Sequence, residues 1–454
     1  MRIIFIFRRD LRIHDNPALV QCLQACVEAD AEFYPCFFFD RRQISPTQNQ
    51  YFSVNAVTFM FECLRELDDD LYAAGLGHLH CFEINGNLHG SPYDNENKFF
   101  NKDITPYAIA RDGISRDDPD IGRGYLLSDS VHVIKNGTGK PYSIFTPFYR
   151  CAVRIRVPAT MRLPTFKIKI VKDDHRLAHF HPPAGATKLI SGGRKTALRI
   201  LRRNFRQYAA TRDVPTNDTG TTHLSAYLKF GVISVREAYH AINVREFRRQ
   251  LYWREFYALI AFHFPHVLKG QTSNQNLAMH ESYNRLRWSS NYGDKWIKWC
   301  QGRTGFPFVD AGMRQLNQTG YMHNRLRMVT ATFLIKDLHI DWRLGEKYFA
   351  QNLTDYDPAQ NNGGWQWCAS TGADAQPYFR IFNPWEQSRR FDPDAIYIKR
   401  WLPELIPLTA REIHNWHTTH TTLRVAKNIQ YPAPLCDHHT EAERTLRTYR
   451  SLMT

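Results

Sequence analysis

The nine residues EFYPCFFFD (32–40) decide the class of fold. Five of them are Phe or Tyr, and a short apolar run so rich in aromatic residues predicts a buried β-strand. RIIFIF (2–7) predicts a second strand, and a helical stretch at 18–28 separates the two. Apolar residues three and four positions apart at 54–71 predict an amphipathic helix, which leads to a third strand at 78–84. Strands that alternate with helices predict a parallel sheet covered by helices.

This alternation predicts a Rossmann-like α/β domain over residues 1–165, with a late strand at 131–134. Residues 166–195 contain Pro182-Pro183 and Gly192-Gly193, which are typical of a linker between domains. Beyond the linker the strand pattern nearly vanishes and helical patterns take over. We therefore expect an all-α domain over residues 196–454.

Charge is distributed unevenly along the 454 residues. Of the 59 Lys and Arg and the 44 Asp and Glu, residues 1–165 hold 18 and 20, which leaves 41 and 24 for the rest of the chain. A positive excess confined to one domain indicates a polyanionic partner, most simply nucleic acid. A basic protein without such a partner is the alternative. No run of about 18 apolar residues is present, so we expect no membrane span.

The nine cysteines show no CxxC pair. Cys22 and Cys26 lie one helical turn apart but lack the other ligands of a zinc set, so no metal site is predicted. We expect reduced thiols in an intracellular protein, cytoplasmic or nuclear according to its source.

The stretch AQNNGGWQWCASTG (359–372) places two Trp residues beside two glycines in polar surroundings. The glycines and asparagines predict a flexible turn. Trp usually anchors a core. Two indoles beside a turn therefore indicate either an unusual corner of the core or a site that holds something flat and redox-active.

Several long sequence motifs, which occur in order along nearly the whole chain, show a family resemblance. They are FRRDLRIHDNPAL (7–19), TTHLSAYLKFG (221–231), QLYWREFY (250–257), GRTGFPFVDAGMRQLNQTGYMHNRLRMV (302–329), DWRLGEKYF (341–349) and DYDPAQNNGGWQWCASTGADAQPYFRIFNP (355–384). The chain resembles the photolyase/cryptochrome family, and most of all the class I cyclobutane pyrimidine dimer photolyases. The resemblance implies that the all-α domain binds FAD.

The resemblance implies a phosphate-binding loop ahead of a helix, where hydroxyls and free N–H groups suit an anionic diphosphate. The matching residues are Thr221, Thr222, Leu224 and Ser225. Without the resemblance, TTHLS would indicate a plain helix N-cap. Further cofactor contacts match Tyr208, Gln250 and Arg254.

The resemblance also implies a polar shell around the isoalloxazine ring. The matching residues are Asn324, Arg327, Asp355, Asp357 and Asn361. Burial of a reduced, anionic flavin requires hydrogen bonds and a cation. We expect Arg327 to supply the charge and Asp355 to orient it through two hydrogen bonds, with an ordinary structural ion pair as the alternative. Asn361 matches the catalytic amide that faces flavin N5.

The resemblance also implies roles for one Trp of the 359–372 stretch and for two Trp residues earlier in the chain. Trp365, Trp342 and Trp288 match an electron-transfer chain, from the flavin outward to solvent. Trp296 and Trp299 lie close to Trp288 in sequence, which leaves the outermost position open. Gly363-Gly364 are expected to let the backbone pass close to the cofactor. Core packing is the alternative for each single Trp.

A DNA-binding pocket follows from the same resemblance. Trp253 and Trp367 match aromatic residues that grip a flipped-out dimer, and Met328 matches a pocket wall. The residues that match DNA contacts are Arg212, Asn324, Arg325 and Gln387.

Gln250 departs from the dimer photolyases, which carry Glu at this catalytic position. Gln is usual in (6-4) photolyases and animal cryptochromes, and an amide cannot transfer a proton. Two residues argue against (6-4) repair. Asn324 and Met328 stand where (6-4) photolyases place the histidines that protonate the lesion, and His323 lies one position before Asn324.

We expect a lyase that repairs cyclobutane pyrimidine dimers in UV-damaged DNA by electron transfer from excited, reduced FAD. We expect it to act as a monomer. A cryptochrome-type blue-light receptor and a (6-4) photolyase are the alternatives. A second, antenna chromophore, either a folate or a deazaflavin, is expected near NKDITPYAIARD (101–112) if one is bound.

Overall fold

The computed structural model describes residues 1–86, 97–128, 133, 135, 138–172, 177–271 and 276–452. The late strand that the sequence predicts at 131–134 lies, apart from residue 133, outside the described residues.

A parallel sheet forms the first part of the chain, as predicted. Its strands are β1 (Arg2–Phe7), β2 (Glu32–Asp40), β3 (His80–Ile84), β4 (Asn97–Phe99) and β5 (Lys169–Ile170). The order is β3-β2-β1-β4, with Arg2 opposite Glu32 and Cys36 opposite His80. Side chains on both faces of β1 and β2 are buried, which explains why these strands are continuous apolar runs.

The strand β5 lies inside the segment that the sequence predicts as a linker. It pairs in parallel with the first residues of β2, where Glu32 is opposite Lys169 and Phe33 is opposite Ile170. At residues 169–170 the chain therefore pairs with the sheet once more, before the helical part of the chain begins at residue 194.

Helices α1 to α5 belong to the same part of the chain as the sheet. They are α1 (Pro17–Glu28), α2 (Arg41–Ile44), α3 (Val54–Ala73), α4 (Pro106–Asp112) and α5 (Phe145–Ala152). The Asn16 side chain accepts a hydrogen bond from the Leu19 N–H at the start of α1, and Ser53 does the same for Ala56 at the start of α3. Local capping therefore fixes the start of both predicted helices, at 18–28 and 54–71.

The described residues from 194 onward contain helices and no strands, which confirms the predicted change of fold class. The α-helices are α6 (Arg194–Leu201), α7 (Tyr208–Thr211), α8 (Ser225–Lys229), α9 (Val235–Ala241), α10 (Arg245–His263), α11 (Gly293–Cys300), α12 (Pro307–Thr319), α13 (Asn324–Lys336), α14 (Trp342–Asn352), α15 (Pro358–Ala369), α16 (Pro384–Phe391), α17 (Ile396–Trp401), α18 (Ala410–His414), α19 (Trp416–Ala426) and α20 (His438–Arg450). Short 3-10 helices span Leu177–His179, Pro265–Gln271, Glu281–Arg285 and Pro403–Leu405.

Helix α15 replaces the flexible turn that the glycines and asparagines predict. Asp357 caps the helix by accepting hydrogen bonds from the N–H groups of Ala359 and Gln360, and Pro358 occupies the first turn. The helix packs against α10, α13 and α14. The expectation of a turn was wrong because capping and tertiary packing outweigh the low helix propensity of two glycines.

The loop that follows β1 joins the sheet to the helices. The Leu11 N–H donates to the carbonyl of Phe230 over 3.1 Å, and the buried Arg12 donates to the carbonyl of Gly231 over 2.9 Å. Arg236 of α9 forms a 2.9 Å ion pair with the buried Asp15. The two parts of the chain therefore share a buried polar interface. In the described part of the chain, every helix is too short or too polar to cross a bilayer.

Candidate flavin and DNA site

The cap of α15 fixes one carboxylate of the predicted flavin shell. Asp357 accepts backbone hydrogen bonds of 3.0 and 3.2 Å at the start of this helix and forms an ion pair with Arg9 from the loop after β1. Burial would raise the pKa of Asp357, but Arg9 and Arg254 hold it below the ordinary value. Asp357 is therefore an anion fixed between the sheet and the helices. Sequence reasoning missed Arg9, which lies 348 positions away.

Arg327 and Asp355 form the expected ion pair, but with one hydrogen bond rather than two. The Arg327 Nη2 donates to Asp355 Oδ2 over 2.8 Å, while its Nε donates to the carbonyl of Met322 over 2.8 Å. The prediction of a bidentate pair was wrong because the backbone turn before α13 takes the second donor. Burial would lower the pKa of Arg327, and Asp355 raises it above its ordinary value.

The second oxygen of Asp355 provides a test of whether the site fits a flavin. Asp355 Oδ1 is buried and has no hydrogen-bond partner among the described residues. An unpaired buried acceptor costs about 1–3 kcal/mol unless a donor arrives. A flavin ring offers N–H donors, and Arg327 offers the positive charge that a reduced flavin needs. The residues present therefore fit the cofactor that the resemblance implies.

The side chain of Asn361 is fixed by a hydrogen bond to the backbone of α14. Its Nδ2 donates to the backbone carbonyl of Glu346 over 2.9 Å. The Glu346 side chain is fully buried, and it accepts hydrogen bonds from Asn276 (2.7 Å) and Asn362 (3.2 Å). Burial raises the pKa of Glu346 to about 7, although these amide donors oppose the shift. Sequence reasoning missed this polar layer because Glu346 looks like a solvent-facing residue in DWRLGEKYF.

The two glycines of α15 have different surroundings. A Cβ on Gly363 would lie 2.2 Å from the ring of Tyr257 on α10, whereas a Cβ on Gly364 would meet nothing within 4 Å. Gly363 therefore allows two helices to pack closely, and only Gly364 leaves open space for a neighbour. That the backbone at both glycines passes close to the cofactor stays a prediction, and the packing on Tyr257 gives Gly363 a second reason to be glycine.

The predicted electron-transfer residues occupy the core around α14 and α15. Trp365 and Trp342 are buried, and Trp288 is half-buried. A Cβ on Gly345 would lie 2.1 Å from the Trp365 ring, so α14 packs directly on this indole, and Trp342 lies one turn earlier on the same helix. The 2.9 Å hydrogen bond from the Ser289 N–H to the His339 carbonyl brings the segment of Trp288 to the loop before α14.

The predicted phosphate-binding loop precedes α8. The hydroxyl of Thr222 accepts a 3.4 Å hydrogen bond from the Leu224 N–H, and no side chain caps α8 itself. Ser225 is exposed, and the neighbouring Tyr208 is buried edge-on against Phe247. The plain N-cap interpretation is therefore wrong, and the start of α8 has no side-chain cap of its own.

The predicted dimer-gripping residues lie on α10 and α15. Trp253 stacks face to face on Phe145 of α5, with ring centroids 3.7 Å apart and planes at 7°. Trp367 makes an edge-on contact with Phe382 at 6.3 Å. The Cys368 Sγ lies 3.8 Å from the Met328 carbonyl, which brings the helix of Trp367 next to the predicted pocket wall. Phe145 was not foreseen, since only the fold brings it to α10.

The other predicted DNA contacts differ in how they are held. Asn324 is exposed at the start of α13, and Gln387 lies half-buried on α16. Arg325 forms a 2.9 Å ion pair with Asp213 and lies over the ring of Phe391, whereas Arg212 lies 3.9 Å from the same carboxylate. Asp213, which the sequence did not single out, therefore offsets part of this positive charge.

Two predicted cofactor contacts on α10 bond to backbone carbonyls. Gln250 is turned back along its own helix, where its Nε2 donates to the carbonyl of Glu246 over 3.2 Å. Arg254 donates to the carbonyl of Tyr125 over 2.8 Å. Arg254 also lines a cavity between the sheet and the helices, together with Arg9, Asp103, Thr105 and Asp357. Part of the segment at 101–112 therefore borders a cavity next to the predicted flavin shell.

Comparison with known proteins gives two family matches. Residues 3–164 match the family described as DNA photolyase, and residues 247–451 match the family described as the FAD binding domain of DNA photolyase.

Three relatives match across nearly the whole chain. The deoxyribodipyrimidine photo-lyase of Alkalihalophilus pseudofirmus is 33% identical over 98% of this chain and 97% of its own. A photolyase from Sulfolobus tokodaii, whose structure contains two FAD molecules, shows 36% identity and a TM-score of 0.85, with 99% of this chain and 100% of that chain covered. A class III photolyase from Agrobacterium tumefaciens shows 30% identity and a TM-score of 0.85, with 100% and 98% covered. The chain belongs to the photolyase/cryptochrome family and carries its FAD-binding domain.

Proposed function

We propose that this protein is a light-driven lyase that splits cyclobutane pyrimidine dimers in UV-damaged DNA. The observation that carries the proposal is the ion pair between the half-buried Arg327 and the buried Asp355, whose free carboxylate oxygen lies in a domain matched to the FAD-binding domain of DNA photolyases. Reduced FAD, when bound, supplies the light-excited electron donor. The related deoxyribodipyrimidine photo-lyases support the same substrate.

The protein's own residues bind the cofactor and control its charge. Arg327 would balance the negative charge of the reduced ring, and Asp355 would accept a ring N–H through its free oxygen. Asn361, fixed by its bond to the Glu346 carbonyl, would present its amide oxygen to the ring edge. The loop from Thr221 to Ser225 would bind the diphosphate through backbone N–H groups.

A flipped-out dimer would bind between Trp253 and Trp367. Stacking on aromatic side chains contributes about 1–3 kcal/mol per base. The contact with Phe145 keeps the Trp253 ring in place before a dimer arrives, which lowers the entropy lost on binding. Met328 would line the pocket. Asn324, Arg212, Arg325 and Gln387 would contact the DNA, with Arg325 exchanging its Asp213 partner for a phosphate.

Gln250 favours a second candidate, a light receptor of the cryptochrome type, because an amide cannot pass a proton to the dimer. The bond from Gln250 Nε2 to the Glu246 carbonyl uses one of the two amide N–H groups, which leaves the other for a pyrimidine carbonyl. We infer that Gln250 still donates an N–H to the dimer and that repair proceeds with a reduced yield. A Gln250→Glu variant should then repair faster.

The direct test is irradiation of the reduced protein with an oligonucleotide that contains one cyclobutane dimer. We expect thymine absorbance to return in the light but not in the dark, and a (6-4) lesion to remain unchanged. Trp253→Ala should weaken binding of the dimer by about 1–3 kcal/mol, which is about 5- to 150-fold in Kd. Binding without repair would refute the lyase and favour the receptor, and repair of the (6-4) lesion alone would refute the dimer as substrate.

We also propose that an antenna chromophore, where one is bound, lies near the segment at 101–112. The Sulfolobus tokodaii photolyase, whose structure contains two FAD molecules, adds a second FAD to the expected folate and deazaflavin as candidates. Release of bound chromophores by acid, followed by chromatography, distinguishes the three. We propose that the protein acts as a monomer, and light scattering during size-exclusion chromatography tests this.

A further inference from the structure

The chain after α15 turns back to the start of α5. Ser370 ends α15 in the left-handed conformation, with a φ of 61°. Further along, the Asp374 N–H donates to the carbonyl of Ser143 over 2.8 Å. Asp374 also has a positive φ of 46°, which is uncommon for a residue with a Cβ. We call residues 370–376 the return loop, because they join the helix of Trp367 to the segment that begins α5.

The return loop is tied to the last turn of α15. The N–H groups of Ser370 and Gln376 both donate to the carbonyl of Trp367, over 3.3 and 3.2 Å. The N–H of Thr371, a fully buried residue, donates to the Gln366 carbonyl over 3.0 Å. Both ends of the loop are thus fixed to the turn that carries Trp367. Asp374 is therefore held at a set position relative to that residue.

Asp374 supplies a hydrogen-bond acceptor at the start of α5. The first N–H groups of a helix have no partner within the helix, and Ile144, at the N-cap position, makes no side-chain cap. The Asp374 carboxylate takes this role from outside the helix. Burial raises the pKa of Asp374, whereas a hydrogen bond from the Phe145 N–H and the charge of Arg249 oppose the shift. The return loop therefore fixes the first residue of α5.

Phe145 links this fixed position to α10. Phe145 is buried, and its ring stacks on the half-buried Trp253 with centroids 3.7 Å apart. Arg249, one helical turn before Trp253, lies over the same ring, with its guanidinium carbon 5.5 Å from the centroid. Two residues of α10 thus pack on one ring of α5. A shift in the start of α5 would therefore tilt the ring of Trp253.

We propose that Asp374 is a positioning residue for the aromatic pair that grips the dimer. The return loop fixes Asp374 relative to Trp367, and Asp374 fixes Phe145, on which Trp253 stacks. Asp374 therefore sets the separation and the tilt of the two tryptophan rings without touching the DNA itself. This inference rests on the proposed function, since it needs a dimer bound between Trp253 and Trp367.

The positioning role concerns damaged DNA alone. Undamaged bases stay in the stack, so undamaged DNA binds through its phosphates. A flipped-out dimer stacks on aromatic rings, and less entropy is lost when those rings are held at the right separation before binding. Loss of the Asp374 contact should therefore weaken binding of the dimer and leave the affinity for undamaged DNA unchanged.

Fluorescence anisotropy of the FAD-bound protein in the dark tests the proposal, with a labelled oligonucleotide that contains one dimer and the same oligonucleotide without it. Asp374→Ala should raise the Kd for the dimer about tenfold, because misplaced rings lose part of the stacking energy. Its Kd for undamaged DNA should change by less than about twofold. Asp374→Asn removes the same charge but keeps an oxygen that can accept from Phe145, so its Kd for the dimer should stay within about threefold of the wild type.

Asp437→Ala is the matched control. Asp437 also accepts from a backbone N–H at the start of a helix, that of Thr440 in α20 at 2.8 Å, and its replacement removes the same charge. This variant should bind the dimer as the wild type does. Phe145→Leu tests the next contact, since leucine keeps an apolar side chain but offers no ring face to Trp253, and it should weaken binding of the dimer as well. Should Asp374→Ala fail to fold, Phe145→Leu provides the same test.

A measurement without DNA separates this inference from the proposed function. In protein labelled with fluorotryptophan, the fluorine NMR resonance of Trp253, assigned by its absence in Trp253→Phe, should shift in Asp374→Ala and return in Asp374→Asn. An unchanged resonance, a wild-type Kd for the dimer in Asp374→Ala, or an equal loss of affinity for undamaged DNA would overturn the positioning role. Absence of repair by a wild type that binds dimers would refute the lyase and leave the comparison of variants valid.

Discussion

The sheet and the layer formed by α14 and α15 bury very different side chains. On β1 and β2 the buried residues are almost all aliphatic or aromatic, such as Ile4, Phe5 and Phe33. Between α14 and α15 the buried groups include Glu346, Asn362 and Gln366, linked by hydrogen bonds of 2.9 and 3.2 Å. Side chains fill the space in the sheet, whereas the helical layer contains carboxylates, amides and glycines.

This difference separates stability from ligand binding. Apolar burial in the sheet stabilises the fold directly. Burial of a carboxylic acid such as Glu346 costs free energy even when its hydrogen bonds are made. The cost is understandable where the same pair of helices holds Asn361, through the backbone carbonyl of Glu346, for a charged cofactor. Substitutions in the two regions should therefore differ in kind as well as in size.

The largest effect is expected in the sheet. Phe5 is completely buried in β1 and makes an edge-on contact with Phe7 at 4.7 Å. Phe5→Ala should lower the free energy of unfolding by about 3–5 kcal/mol through lost burial and a residual cavity. Urea denaturation measures this loss. The flavin spectrum of the folded variant should stay unchanged.

The control for Phe5→Ala is Tyr72→Ala, at a side chain that is 65% exposed. This substitution should change stability by less than about 0.5 kcal/mol. Loss of flavin from folded Phe5→Ala protein would contradict the separation between the two regions.

The next effect is a pH dependence in the polar layer. The unfolded chain loses the Glu346 proton near pH 4.5, whereas burial raises the pKa of this group to about 7 in the fold. The folded state thus binds more protons across this window, so Glu346 makes stability fall as pH rises from about 4.5 to 7. At about 1.4 kcal/mol per pKa unit the fall amounts to about 3 kcal/mol.

Glu346→Gln should remove this part of the slope. Unfolding free energies of both proteins at pH 4.5, 6 and 7.5 provide the measurement, and the difference between them isolates Glu346 from the other buried acids. A difference that stays constant over the three pH values would show that Glu346 does not titrate in the window.

The smallest effects are expected at the two glycines of α15. Gly364→Ala should stabilise the flavin-free protein by up to about 1 kcal/mol, because its Cβ enters open space in a helix. Gly363→Ala, its matched partner, should cost about 1–3 kcal/mol through overlap with Tyr257. Thermal unfolding of the flavin-free proteins provides the comparison. Equal effects of the two substitutions would show that α10 and α15 do not pack as described.

The sheet could be predicted from sequence because its signal is local. The continuous apolar run EFYPCFFFD by itself predicts a buried strand, and the spacing of apolar residues at 54–71 predicts which face of α3 is buried. Helix α15 could not be predicted in this way. Its glycines favour a turn locally, and the contacts with α10, α13 and α14 that override them come from distant parts of the chain.

The candidate site shows the same limit. Arg327 and Asp355 could be paired by resemblance, but the loss of the second hydrogen bond to the Met322 carbonyl depends on the local path of the backbone. Arg9 and Phe145 carry no local signal for the site, because each becomes relevant only when the sheet meets the helices. Glu346 looks like an ordinary charged residue of an amphipathic helix until its surroundings are known.

The loop after β1 has a consequence for modularity. Gly231 adopts a positive φ of 65°, and a Cβ there would lie 1.9 Å from the Arg9 carbonyl, so the loop packs against the turn between α8 and α9 without room for a side chain. A chimaera that exchanges the first 165 residues for those of a relative would have to bring a loop of the same shape. We therefore expect the chain to unfold in one cooperative step. We do not expect its two parts to be exchangeable as separate modules.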